Sequence, residues 1–210
     1  MAFRLRVYLM SWLRTNGFVV ISHASACLPL LVLIWDSASG NLSVNPIQDA
    51  TFRTGKAALL MLMLSLACTP LHTVTGFKPA LRMRNWFGLY AFLYAGLHFL
   101  VFSALDFGLD WVLIGREIVE KRYILAGLAA LVILVPLAVT STQGWQRRLG
   151  KMWKRLHRLA YLAGVLAVLH YVWLVKSDVR EPLLWSTVLA VLLILRIPRV
   201  RARVSRLRMR

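Results

Sequence analysis

Six apolar runs, each near the length that crosses a bilayer, alternate with short polar segments along this 210-residue chain. A hydrocarbon core of about 30 Å takes roughly 17–25 helical residues. The runs fall at 18–35, 57–72, 86–105, 123–140, 158–176 and 182–197. Hydrophobic residues make up 59% of the sequence and mean hydropathy is +0.65, above the roughly 45–50% apolar content of soluble domains. The chain therefore reads as an all-α integral membrane protein, a six-transmembrane-helix bundle occupying 1–210 as a single domain. The second and last runs are short and predict helices that extend into flanking residues. Pro29, Pro70 and Pro136 lie inside or at the ends of runs, where neighbouring helices can satisfy the freed carbonyls. Pro198 ends the last run.

The net charge of +18 would suit a nucleic-acid partner, but its distribution follows membrane topology instead. The N-terminal tail carries Arg4, Arg6 and Arg14. The loop after the second run carries Lys78, Arg82 and Arg84. The loop after the fourth carries Arg147, Arg148, Lys151, Lys154, Arg155 and Arg158, and the C-terminal tail carries seven arginines from Arg196 to Arg210. None of these segments holds an acid. The alternate segments hold all eight: Asp36, Asp49, Asp106, Asp110, Glu117, Glu120, Asp178 and Glu181. Cytoplasmic segments carry the Lys/Arg excess, so both termini read as cytoplasmic, which requires an even number of spans. The C-terminal run IPRVRARVSRLRMR reads as an anchor on anionic membrane lipid rather than a nucleic-acid arm.

Ala24-Ser25-Ala26 follows an arginine-bearing start and resembles a signal-peptidase site. The apolar run continues through Leu28 to Trp35, which predicts an uncleaved first membrane helix. Cys27 and Cys68 both lie in apolar runs and form no C-x-x-C or C-x-x-C-H pattern, which removes covalent haem attachment and a zinc knuckle. They read as small buried side chains.

Histidine inside a hydrocarbon layer is costly and marks binding or relay. His98 lies 12 residues after Trp86 in the third run, and His170 lies 12 residues after Arg158 in the fifth. Each is about 18 Å along its helix, so the two reach one level in the outer half of the membrane. Neutral imidazoles at equal depth on neighbouring helices suit the two axial positions of a haem iron. His157 lies 13 residues before His170, about 20 Å away and off its helical face, with Gly164 between them as a place for a bend. It suits a second, inner-leaflet haem site or a structural role alike, and the spacing alone does not decide between them. His23 lies at a similar inner level, as a partner for His157 or a propionate contact. Arg82, Arg84, Arg147 and Arg148 suit haem propionates or a flavin phosphate. Tyr90, Tyr94 and Phe99 near His98, and Tyr161, Tyr171 and Trp173 near His170, read as lining a porphyrin pocket. Trp86, Trp111, Trp153 and Trp185 read as interfacial belts.

The sequence holds no P-loop, H-E-x-x-H, G-x-S-x-G or dinucleotide glycine motif. The competing class is a small transporter or channel whose histidines only bind neighbouring helices. All carboxylates lie outside the runs, which counts against it.

Four stretches carry a family resemblance: TGKAALLMLMLSLACTPL (54–71), LRMRNWFGLYAFLYAGLHFL (81–100), GREIVEKRYILAGL (115–128) and TSTQGWQRRLGKMWKRLHRLAYLAGVLAVLHYVWLVK (140–176). They are similar to the MsrQ (YedZ) family, within the ferric-reductase-like transmembrane group. The resemblance implies a multi-pass protein of the bacterial inner membrane carrying haem b and flavin mononucleotide (FMN). It implies a non-catalytic electron-transfer subunit of an oxidoreductase system. Its donor would be the quinone pool or a cytoplasmic flavin reductase. Its heterodimer partner would be periplasmic MsrP, a molybdopterin enzyme that repairs methionine sulfoxide in envelope proteins. The family's haem-associated histidines fall on His98, His157 and His170. The wider group carries two histidines on each of two helices, whereas the inner position of the third run here is Arg84 or Asn85.

Overall fold

The structure, a computed structural model, describes the backbone of residues 2–208 and the side chains of 16–204 and 206. The side chains of Arg4, Arg6, Arg14, Arg208 and Arg210 lie outside the described residues. Every regular element among the described residues is helical: α1 (Ala2–Ala38), α2 (Pro46–Thr75), α3 (Pro79–Leu100), α4 (Trp111–Glu120), α5 (Arg122–Val139), α6 (Gln143–Leu149), α7 (Lys151–Leu156), α8 (Leu159–Leu174), α9 (Arg180–Ile194) and α10 (Pro198–Arg208). A π-helical turn, Val101–Asp106, continues α3.

Five stretches are long and apolar enough to cross a bilayer: Asn16–Ala38, Pro46–Thr75, Pro79–Asp106, Arg122–Val139 and Lys151–Leu174. They contain the first three sequence runs whole, and the fourth and fifth except for their last one and two residues, where the helices stop at Val139 and Leu174. α9 is 15 residues long, about 22 Å, and qualifies only together with Pro198–Val204, from which it is bent by 80°. The protein is thus a multi-pass membrane protein with five spans, or six if the bent pair is counted as one.

Local chemistry explains the helix ends. Asn45 caps α2 by accepting from the Gln48 amide at 3.1 Å, with Pro46 in the first turn, where proline's missing N–H costs nothing. Gly76 ends α2 in the left-handed region (φ 78°) and its amide returns to the His72 carbonyl. Asp110 caps α4 through the Val112 and Leu113 amides, both at 3.0 Å.

Two closely packed pairs, α2 with α3 and α5 with α8, form the body of the bundle. Without water to expel, membrane helices associate through close packing and hydrogen bonds. Ala91 and Ala163 are fully buried between them, beside Met61, Leu62, Met83 and Leu134. At Gly164 an added Cβ would stand 3.1 Å from Leu66 Cδ1, so this glycine permits contact with α2. It does not bend α8. The break comes earlier, at His157 and Arg158, where backbone bonds tighten to Tyr161 N–Arg158 O at 3.0 Å.

Pro70, inside α2, is compensated from outside that helix. Pro70 deprives the Leu66 carbonyl of its ladder partner. Arg196, between α9 and α10, donates to that carbonyl through Nη2 at 2.6 Å. Its Nη1 donates to the Tyr161 hydroxyl, and the guanidinium lies 4.7 Å from the Tyr161 ring centroid. Near Pro29 in α1, the Tyr94 hydroxyl donates to the Ala26 carbonyl at 2.6 Å and accepts from the Leu30 amide at 3.2 Å. The hydroxyl stands inside the α1 ladder and locks α1 to α3. Arg53 joins the other end of α1 to α2, bonding Asp36 at 2.5 Å and Asp49 at 2.9 Å. Cys68 is buried as expected, but Cys27 is exposed on α1.

Candidate functional site

The two deep histidines meet. The rings of His98 on α3 and His170 on α8 lie 6.0 Å apart, centroid to centroid, and nearly perpendicular at 81°. Each is held by a carbonyl of the neighbouring helix. His98 Nδ1 is 2.9 Å from Thr51 O on α2, and His170 Nδ1 is 2.6 Å from Tyr123 O on α5. A carbonyl only accepts, so each Nδ1 carries the proton and donates. That tautomer leaves each Nε2 lone pair free, as a metal-ligating imidazole requires.

Four residues beyond each carbonyl stands a glycine. A Cβ on Gly55 would lie 3.0 Å from His98 Nδ1, and one on Gly127 would lie 2.7 Å from His170 Nδ1. Only glycine lets the imidazoles press against the helix backbones. The two hydrogen bonds span the same 47 residues of chain. The α2–α3 and α5–α8 pairs are therefore two renderings of one histidine-on-glycine device. They differ at the far end: His157 lies 13 residues before His170, whereas the residue 13 before His98 is Asn85, which donates to the Ser141 carbonyl at 3.3 Å.

Both histidines line a cavity of about 390 Å³, within the roughly 300–1,000 Å³ range of ligand pockets. Around the imidazoles its walls are largely apolar, with the small residues Gly55, Ala91, Ala95, Gly127, Ala130 and Ala167 among them, and polar side chains gather at one end. Two metal–imidazole bonds of about 2 Å each set the ring nitrogens about 4 Å apart; half a ring on either side brings the centroids close to the 6.0 Å seen. The donor set, the glycines and the cavity fit a macrocycle whose metal His98 and His170 would hold. Among the described residues no group of three or more His, Cys, Asp or Glu side chains comes together for a metal ion.

The remaining sequence candidates lie elsewhere. His157 ends α7, stacked on Trp153 at 4.0 Å, with Nδ1 3.2 Å from the Trp153 carbonyl and its ring also set against the Leu137 backbone. His23 on α1 pairs Nδ1 with the Tyr90 hydroxyl at 2.9 Å and meets Trp86 edge-on. Arg82 is exposed, and Arg84 reaches Thr69 Oγ1 at 3.4 Å. None of these four lines the cavity between His98 and His170. Of the expected aromatic lining, Phe99 and Tyr171 are present. Tyr90 and Tyr94 lie on the adjacent stripe of α3 and serve α1, Tyr161 serves Arg196, and Trp173 is exposed.

Sequence reasoning passed over Gly55, Gly127, Thr51 and Tyr123. The available signal was a pair of similar apolar segments, TGKAALLML and AGLAALVIL, each with one glycine inside a helical pattern, which calls for a packing reason.

The family described as ferric reductase like transmembrane component matches residues 54–168, which takes in both glycines, His98 and His157 and stops two residues before His170. The chain is 48% identical over 177 residues to the protein-methionine-sulfoxide reductase heme-binding subunit MsrQ of Xanthomonas axonopodis pv. citri, covering 81% of each chain. It is 48% identical over 185 residues to the subunit of the same name from Rhodospirillum rubrum, covering 86% of this chain and 88% of that one. The chain belongs to the MsrQ family. A third MsrQ relative, from Xanthomonas oryzae pv. oryzae, is 47% identical over 190 residues, with 86% and 87% of the two chains covered. No solved structure is significantly similar to the chain.

Proposed function

We propose that the chain is a haem b-containing electron-transfer subunit of the bacterial inner membrane, with His98 and His170 as axial ligands of the haem iron. One observation carries this reading: two imidazoles, each with Nδ1 committed to a carbonyl, face one another across a small-residue cavity. Bound haem supplies one-electron redox chemistry. The protein residues supply the rest. Thr51 and Tyr123 fix the tautomers, Gly55 and Gly127 set the ring positions, and the apolar walls exclude water.

The proposed topology has six spans in one domain, with both termini cytoplasmic and α9 plus the α10 bend counted as the sixth. The cavity then lies in the outer half of the membrane. Its electrons come from the quinone pool or a cytoplasmic flavin reductase and leave to periplasmic MsrP, in support of methionine sulfoxide repair. The relatives' names, heme-binding subunits of a protein-methionine-sulfoxide reductase, support the haem and the link to methionine sulfoxide reduction. The inner positions His157, Arg84, Arg82 and His23 are the proposed place for a second group, haem or FMN, that spans the distance to the cytoplasmic face.

The test is the visible spectrum of the detergent-purified protein, oxidised and dithionite-reduced, with pyridine haemochrome quantification. Low-spin b-type bands that vanish in His98→Ala and His170→Ala are the expected result. Retention of those bands in both variants would overturn the assignment.

A further inference from the structure

The cavity between His98 and His170 is chemically lopsided. Its deep end is closed by Ala58, Leu62, Ala91, Ala130 and Leu134, with no charged side chain. Its other end, where α2 begins and α4 meets α5, carries Asn45, Gln48, Lys56, Asp106, Glu117 and Lys121. A porphyrin of the b type has an apolar macrocycle and two carboxylates on one edge. Carboxylates set among the deep alanines and leucines would be ionised groups with no partner, a prohibitive arrangement. Only one orientation is left.

We propose that Lys56 and Lys121 hold the two carboxylates of the macrocycle, one from each side of the cavity mouth. This rests on the haem reading above and adds an orientation and two binding residues to it. Lys56, on α2, is 2.7 Å from Glu181 Oε2 at the start of α9. Lys121, at the α4–α5 junction, is paired with Glu117. Both ammonium groups are about half-exposed at the rim. An ammonium has three donors, and each lysine spends one on its glutamate, so both keep donors for an entering carboxylate. At the mouth Glu181 and Glu117 are already paired with the lysines, and Asp106 is the remaining acid facing the same opening. Arg82 and Arg84 cannot take this part. Arg84 sits beside Thr69, 13 residues along α2 from Lys56, about 20 Å towards the opposite end.

The experiment titrates the full-length apoprotein in detergent with haem b and, separately, with its dimethyl ester, reading the Soret band. The ester keeps the iron and macrocycle and lacks the charges. The wild-type chain binds the diacid more tightly by about tenfold or more, the scale of one charge-assisted hydrogen bond. Lys56→Gln with Lys121→Gln binds the two forms alike, and Lys56→Arg with Lys121→Arg keeps the preference. Far-ultraviolet circular dichroism establishes that each variant retains its helices. A glutamine double variant that keeps the wild-type preference overturns the assignment, as does a wild-type chain that binds both forms equally. A wild-type chain that binds neither form overturns the haem reading itself.

Discussion

The Cβ that Gly127 lacks would stand 2.7 Å from Nδ1 of His170. A side chain there forces the imidazole off the Tyr123 carbonyl, and with it the orientation of Nε2. At Gly55 the corresponding approach to His98 is 3.0 Å. Gly127→Ala is expected to lose haem and Gly55→Ala to weaken it less, while the helices of the unloaded protein gain up to about 1 kcal/mol of intrinsic preference each. Haem content and apoprotein melting, measured together, check the opposite signs. Equal haem loss in the two variants would refute the ranking.

Arg196 and Pro70 form a second testable pair. Arg196→Leu leaves the Leu66 carbonyl without a donor inside α2, at a cost of about 1–3 kcal/mol. In a Pro70→Ala background the ladder bond is restored, and the same substitution costs measurably less. A double-mutant cycle on unfolding in detergent reads the difference. Arg196→Lys does not rescue the single variant, because a point charge lacks the fork that reaches both Leu66 and Tyr161.

The Tyr94 hydroxyl bridges Ala26 and Leu30 within α1. Tyr94→Phe removes the bridge and is expected to destabilise the attachment of α1 by about 0.5–1.5 kcal/mol. Tyr94 does not line the histidine cavity, so the haem spectrum stays unchanged. Faster proteolysis within α1 at constant haem content is the predicted signature.

Lys121 gives a pH dependence. The hydrogen bond that Lys121 donates to the Glu117 carboxylate raises its pKa above the ordinary lysine value. A raised cation stabilises the folded form fully below the unfolded value, near 10.4, and that contribution disappears as pH climbs through the folded value. The α4–α5 junction therefore stays clamped through the neutral range and loosens only in alkali. Fluorescence of Trp111, at the start of α4, is expected to be flat from pH 6 to about 9 and to change above that. The step should be absent in Lys121→Gln.

The equal depth of His98 and His170 was legible because helical rise converts residue counts into height with little error. Their ring orientation was not, since it depends on Thr51, Gly55, Tyr123 and Gly127, all far away in sequence. A lone glycine in an apolar helix announces a close neighbour without naming it. Spacing also misled at Tyr90 and Tyr94, which are near His98 in sequence but belong to the stripe facing α1. The bend expected at Gly164 comes at His157, inside the cationic segment KMWKRLHR, where His157 and Arg158 take the tighter turn between α7 and α8. Pro70 was recognised as needing help, but its donor lies 126 residues away, a pairing no local pattern encodes.

The two-fold use of one histidine-on-glycine latch also sets an order of assembly. The first latch is complete once α3 has entered the membrane, because His98, Thr51 and Gly55 are all in place by then. The second needs α8, the product of a further 72 residues between His98 and His170. Until that later stretch is made and inserted, the nascent chain offers only one of the two latched imidazoles. Stable capture of a ligand that needs both rings thus becomes a late event in biogenesis, and a truncated chain is left empty.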